Sequence, residues 1–232
     1  MEMSLEELAD RFSEVADQYD DIHDSDEKPI YNACASLVVE HANPGPDDVV
    51  LDLGTGTGLI AFALAEDAGH VVGRDISDGM IEQARSKAAD NGFENVEFGY
   101  GEFRDPHYDG DVDTGSSETP QADARGARVD IVVSNFALHH LPDEKKREAI
   151  EVIADLGARR FILGDAMFFG SPDPEEPLFD HGVDGATVGM LVDVLTDVGF
   201  VVTAVERVHD QVGVLVAERS DEESAYGPQE DQ

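Results

Sequence analysis

A short apolar run that ends in an acid and opens into alternating glycines constrains this chain most. It reads Val50-Leu51-Asp52-Leu53-Gly54-Thr55-Gly56-Thr57-Gly58. Glycine permits backbone conformations and close approaches that other residues do not. Such a turn, set between a buried strand and a helix, lies where open α/β sheets bind their ligands. The reading therefore depends on what flanks it.

The flanking chain alternates strand and helix patterns. Leu5, Leu8, Phe12 and Val15 recur at helical spacing behind Ser4, a candidate N-cap. A second helix is expected from about Pro29 to His41, then a turn at "NPGPDD". The strand "VVLDL" follows, then the helix "GLIAFALAEDAG" stopped by Gly69, and the strand "HVVGRD". Ser77 caps the next helix and Asn91-Gly92 ends it. The strands "NVEFGY", "VDIVVSNF" and "RRFILGDAMFF" come next, the helix "DEKKREAIEVIADLG" lying between the last two. "GATVGMLVDVLTDVGF" is helical up to Gly199. "VVTAVERV" and "VGVLVAER" form a closing hairpin across His209-Asp210-Gln211. This order predicts an α/β fold: a doubly wound, seven-stranded, mostly parallel Rossmann-like sheet with a final antiparallel hairpin strand and an N-terminal helical cap. One domain is expected over 1–219, with a cap at 1–43 and a core at 48–219. A polar, flexible insertion is expected at 104–128 and a disordered tail at 220–232.

The glycine loop is not the dinucleotide pattern. G-x-G-x-x-G needs a glycine at position 59, and Leu59 stands there. An NAD-dependent oxidoreductase is disfavoured on that ground. Asp52 ends a buried strand, where an unpaired charge is costly. It is expected to accept hydrogen bonds from the loop or to serve a cationic ligand. Asp75 ends the second strand, where a carboxylate can accept from a ribose diol.

Charge narrows the partners. The chain carries 52 acids against 15 Lys and Arg, a net of -37. No basic stripe is visible, so nucleic acid is not expected as a partner. This balance predicts a halophilic, acidic protein, as from a halophilic archaeon, because molar salt screens repulsion within about 3 Å. The single cysteine, Cys34, sits in an apolar helix and is read as core. No apolar run is long enough for a membrane span and no signal peptide is evident, so a cytoplasmic protein is expected.

Together these pieces resemble a class I S-adenosylmethionine-dependent methyltransferase of the small, free-standing type. The resemblance is carried by "VLDLGTGTG", "VVGRDISDGMIEQAR", "GYGEF", "VDIVVSNFALHHLPDEKKREAI" and "FILGDAMFF", in order, with the closing helix and hairpin extending it to about 219. It implies S-adenosyl-L-methionine as co-substrate, held by Asp52, Gly54, Thr55, Gly56, Asp75, Ile76, Glu102, Phe103 and Asn135. In that scheme the glycine backbone meets the methionine part, Asp75 the ribose and Ile76 the adenine. Glu102, where the family usually has Asp, lies near the adenine amino group. Asn135 lies beside the methionine end or the sulfonium. Arg74 departs from the family's apolar residue and is expected to pair with a surface carboxylate.

Methyl transfer needs alignment more than a dedicated acid or base. The candidates for contact with the chemistry are Tyr19, in an N-terminal Tyr-Asp pair that folds over the cofactor in the family, and His139, beyond the fourth strand. Asp165 is a weaker candidate. The resemblance favours a structural role for His140, because a second His recurs in members with unlike substrates. The histidines show no metal-binding signature, and no metal is expected. "SNFA" lacks the Pro-rich aromatic tetrapeptide of amino-methyltransferases that act on DNA bases or glutamine. The expected function is methyl transfer to a small molecule by in-line displacement, in a monomer or homodimer. The alternative is a non-catalytic binder of S-adenosylmethionine or S-adenosylhomocysteine.

Overall fold

The computed structural model describes residues 4–20, 29–108, 128–170 and 185–219. Most of the expected insertion (109–127) and the whole expected tail (220–232) lie outside them. The elements, in chain order, are α1 (Leu5–Val15), α2 (Pro29–Ala42), β1 (Val49–Leu53), α3 (Leu59–Ala65), β2 (His70–Asp75), α4 (Asp78–Asn91), β3 (Val96–Tyr100) and β4 (Ile131–Asn135). A single 3-10 turn (Leu138–His140) follows, then α5 (Asp143–Asp155), β5 (Arg160–Phe168), β6 (Ala186–Thr187), α6 (Val188–Asp197), β7 (Phe200–His209) and β8 (Val212–Arg219).

The main sheet runs β3-β2-β1-β4-β5-β8-β7, and the two-residue β6 pairs with the end of β5 to make an eighth strand. β8 is antiparallel to both β5 and β7, and the remaining pairs are parallel. Strand order reverses between β1 and β4, so a crevice opens there at the carboxyl ends of the strands.

Side-chain alternation along the strands builds a core on each face. On one face Leu51, Leu53, Val132, Phe161 and Leu163 meet Ile150 and Ile153 of α5 and Leu191 and Val194 of α6. On the other, Val50, Val71, Ile131, Val133 and Ile162 meet α2, α3 and α4 through Val38, Ile60, Leu64 and Ile81. Cys34 is buried in α2 against the Gly213 backbone, and burial pushes its thiol well above the usual range. Such a thiol is a core group rather than a nucleophile.

Several ends differ from the expectation. Helix α3 stops at Ala65, not at Gly69. Gly69 instead allows close packing, since a Cβ there would lie 2.6 Å from the Pro46 carbonyl oxygen. Helix α1 lies over the crevice, whereas α2 packs against β4, β5 and β8 and reaches the crevice through Tyr31. Helix α1 is closed at its start by a capping box between Ser4 and Glu7. It has no fully buried residue and docks on the first turn of α4. The Ser13 and Ser77 hydroxyls are 2.8 Å apart there, and the Gly79 amide donates to Ser13 Oγ at 3.3 Å.

Candidate active site

The glycine loop is stitched between the ends of β1 and β2. The Gly54 and Thr55 amides donate to the Arg74 carbonyl at 2.8 and 3.0 Å. The Gly56 amide donates to Asp75 Oδ2 at 2.8 Å, and the Ser77 amide to Asp75 Oδ1 at 2.9 Å. Gly54 has φ 72°, and a Cβ there would sit 2.2 Å from Ala137 Cβ, so the loop after β4 lies directly on bare backbone. Gly56 also has a positive φ of 55°, with nothing within 4 Å on its Cβ side.

Above this loop is a cleft of about 1020 Å³, its open mouth included. Asp52, Gly54, Thr55, Gly56, Asp75, Ile76, Glu102, Phe103, Asn135 and Tyr19 all line it. They come from the ends of β1, β2, β3 and β4 and from the segment after α1. The structure therefore brings the predicted binding residues to one place. His139 does not line the cleft, whereas its neighbour His140 does.

The 3-10 turn decides between the histidines. His139 turns inward, 5% exposed, with Nδ1 2.5 Å from Asp165 Oδ1 and its amide donating to Asp165 Oδ2 at 2.9 Å. The Ala166 amide also donates to Asp165 Oδ1, at 2.7 Å. His140 faces the cleft and packs edge-on against Phe12, ring centroids 5.3 Å apart. Burial, then the neighbouring His139, pushes its pKa down to about 3. It is a neutral imidazole.

Two acids of the cleft, Asp52 and Asp75, are buried, and among the described residues no Lys or Arg is paired with either. Asp52 is 1% exposed and accepts from Thr55 Oγ1 at 2.7 Å. Burial raises its carboxyl to about 7, and the Asp75 charge adds to the rise. Burial likewise raises Asp75, against the opposing hydrogen bonds from the Ser77, Gly56 and Ile76 amides. Arg104 is the one Lys or Arg among the described lining residues, and it is paired with Glu148 and Glu102. Arg74 turns away to Glu97, 2.6 Å from its carboxylate, as expected of it. Asn135 is only 8% exposed; its side-chain amide faces and acts on the Tyr31 hydroxyl, without either amide atom forming a well-aligned hydrogen bond among the described residues.

Tyr31 and Phe136 also line the cleft and were not singled out in the sequence. Tyr31 of α2 stacks on Phe136, centroids 5.1 Å apart at 22°. Phe136 holds a left-handed φ of 52°, uncommon for a bulky residue and a mark of local strain beside the site. The Tyr31 hydroxyl hydrogen-bonds to Tyr19, and burial raises Tyr19 to about 12, so both phenols stay protonated near neutral pH. Asp20 fastens this segment by accepting from Thr57 Oγ1 at 2.6 Å and pairing with Lys87. Leu5, Leu8, Phe12 and Leu141 close the apolar side. The amphipathic pattern that holds Leu5, Leu8 and Phe12 was the sequence signal for α1; Tyr31, Phe136 and Leu141 carried none. No group of His, Cys, Asp and Glu among the described residues is arranged to hold a metal ion. No described helix is long and apolar enough to cross a membrane.

Comparison with known proteins bears on the family and the fold. A family model described as a methyltransferase domain matches residues 44–161. An arsenite methyltransferase of Halobacterium salinarum is 35% identical over 44% of this chain and 22% of its own length. The uncharacterized methyltransferase YcgJ of Bacillus subtilis is 29% identical over 64% of this chain and 50% of its own. The chain thus spans no more than half the length of these two curated relatives. Among solved structures, the DhpI-SAH complex superposes with a TM-score of 0.65 over 95% of this chain and 99% of that one, at 20% identity. That likeness shows a shared fold.

Proposed function

Because the chain belongs to the methyltransferase-domain family, we propose that it transfers a methyl group from S-adenosyl-L-methionine to a small-molecule acceptor by in-line displacement. One observation carries the reading. The cleft at the strand-order reversal gathers bare loop backbone, the buried Asp52 and Asp75 with no Lys or Arg paired to either among the described residues, and the Asn135 amide. A ligand that is cationic at one end and offers a diol and a planar base at the other suits those groups. S-adenosylmethionine supplies an already activated methyl on a sulfonium.

The chain's own residues then hold and orient. The Gly54–Gly56 backbone and Asn135 receive the methionine end, and Asp52 and Asp75 lower the energy of positive charge there. Asp75 accepts from the ribose, while Ile76, Phe103 and Glu102 enclose the base. Leu5, Leu8 and Phe12 of α1 exclude water, and Tyr19 closes over the loop. Alignment of this kind can supply roughly 7–11 kcal/mol of the barrier reduction. A solved neighbour described as a complex with SAH supports the choice of ligand. The cap at the N-terminus and the 48–219 core form one working unit in this reading, in a halophilic cytoplasm.

Thermal shift tests it. S-adenosylmethionine and S-adenosylhomocysteine raise Tm, by about 2.7 kcal/mol of stabilisation at a hundredfold excess over Kd. NAD does not. Asp75→Ala weakens binding by about 1.5–3 kcal/mol, the range for hydrogen bonds to a charged group. Equal shifts with NAD sink the reading.

A further inference from the structure

His140 stands apart from the other polar groups of the cleft. Its ring lines the cavity, wedged between Phe12 of α1 and the ring of His139, centroids 5.3 and 4.0 Å away. Neither ring nitrogen has a hydrogen-bond partner among the described residues. The carboxylate that would make it a strong base is already engaged. Asp165 receives His139 through both its oxygens, at 2.5 and 2.9 Å, and the Ala166 amide as well. The charged or titratable groups acting on His140 are His139 in its own turn, Asp165 on β5 and Arg11 on α1. Two of these, His139 and Arg11, disfavour an imidazolium. His140 therefore presents a neutral, open nitrogen lone pair in an apolar wall of Phe12, Phe136 and Leu141.

We propose that the acceptor is a neutral, largely apolar molecule methylated on a hydroxyl oxygen, and that His140 receives the proton of that hydroxyl. This rests on the cofactor reading above. The acceptor oxygen bonds to the methyl carbon as the carbon–sulfur bond breaks, and that electron pair stays on sulfur. The hydroxyl proton passes to a ring nitrogen of His140 and leaves to water through the mouth. A weak base is enough here, because an oxygen gaining a methyl becomes an oxonium far more acidic than an imidazolium. A methylated amine, by contrast, holds its proton more tightly than this imidazole does and gains nothing from it. Carboxylate acceptors are disfavoured too, since Arg104 is already paired and Asp52, Asp75 and Glu102 line the same cleft. His139 and Asp165 are positioning residues in this scheme: their pairing fixes the turn that aims His140.

The test uses the full chain with labelled S-adenosylmethionine. The acceptor panel contains neutral phenols and flat alcohols of graded size, with the matching amines and carboxylic acids. Label is expected in ethers of the neutral hydroxyl compounds. His140→Phe, which keeps the packing on Phe12, is expected to lower kcat about 10²–10⁴-fold, the usual contribution of a general base. Its KM for S-adenosylmethionine and its Tm stay near wild type. His140→Ala is expected to recover part of its turnover with added imidazole. Wild-type turnover in both variants overturns the proposal, and so does label found chiefly on amines or carboxylates. If no hydroxyl compound is methylated while S-adenosylhomocysteine still raises Tm, this proposal falls and the cofactor reading stands. If neither ligand shifts Tm, both fall.

Discussion

Asp52→Asn is expected to change stability with opposite sign at low and high pH. The carboxyl is raised from an ordinary 3.8 to about 7 by burial. Below pH 4 it is protonated in folded and unfolded chains alike and contributes nothing. Between about 4 and 7 the unfolded chain releases the proton while the folded chain keeps it, so stability falls as pH rises. Above 7 both forms are ionised, and the fold carries a constant penalty of about 4 kcal/mol, at roughly 1.4 kcal/mol per pH unit. An amide is never charged and escapes this penalty. Its oxygen can still accept from Thr55 Oγ1, now at 2.7 Å. Its buried NH2 introduces a donor that costs about 1–3 kcal/mol if unpaired, at every pH. The variant is therefore less stable than wild type at pH 4 and more stable at pH 8. The difference between the two comparisons is about 4 kcal/mol whatever the amide costs. Urea melts of both proteins at a series of pH values measure it, and the many surface acids cancel in the subtraction. The same variant loses affinity for S-adenosylmethionine, because the charge that destabilises the empty cleft attracts the cationic ligand. Parallel stability profiles for the two proteins refute the reasoning.

Two further perturbations follow from the geometry. Gly79→Ala places a Cβ 2.8 Å from Ser13 Cα and so forces α1 off α4; hydrogen exchange of residues 5–15 accelerates and turnover falls more than cofactor affinity, whereas unchanged protection shows that the contact has slack. The net charge of -37 predicts that Tm rises between 0.1 and 3 M KCl, since screening relieves like-charge repulsion; a flat or falling Tm removes the halophile reading.

The strands and the ligand loop were legible because their signals are local. A buried strand, a glycine turn and a capped helix each announce themselves within about ten residues, and β1, β2 and α4 lie where the pattern put them. Asp75 and Asp52 could be placed because strand ends in this topology converge on one crevice. What failed to show depends on contacts distant in sequence. The two residues of β6 are a strand only because the end of β5 lies beside them. Helix α3 lost its last turn to a loop that tucks Gly69 beneath Pro46. Tyr31 on α2 and Phe136 after β4 meet from segments about a hundred residues apart, and nothing near either residue predicts the partner. His139 and His140 are neighbouring letters, and the choice between them belongs to one tight turn anchored on Asp165.

The shallow seating of α1 bears on traffic through the site. A helix with no fully buried side chain sits at the low end of local opening free energies. Among the described residues it is fastened by the Ser13–Ser77 contact, the Gly79 amide, the packing of Phe12 on His140, and Asp20 on Thr57 and Lys87. The Lys87–Asp20 pair is partly exposed, 31% and 50% for the two side chains, so dissolved ions weaken it. In concentrated salt α1 is thus held mainly by the uncharged Ser13–Ser77 and Gly79 contacts and by the packing of Phe12 on His140. Under the proposed function, opening of α1 is expected to gate release of the spent ligand, so that its opening and not bond making limits turnover.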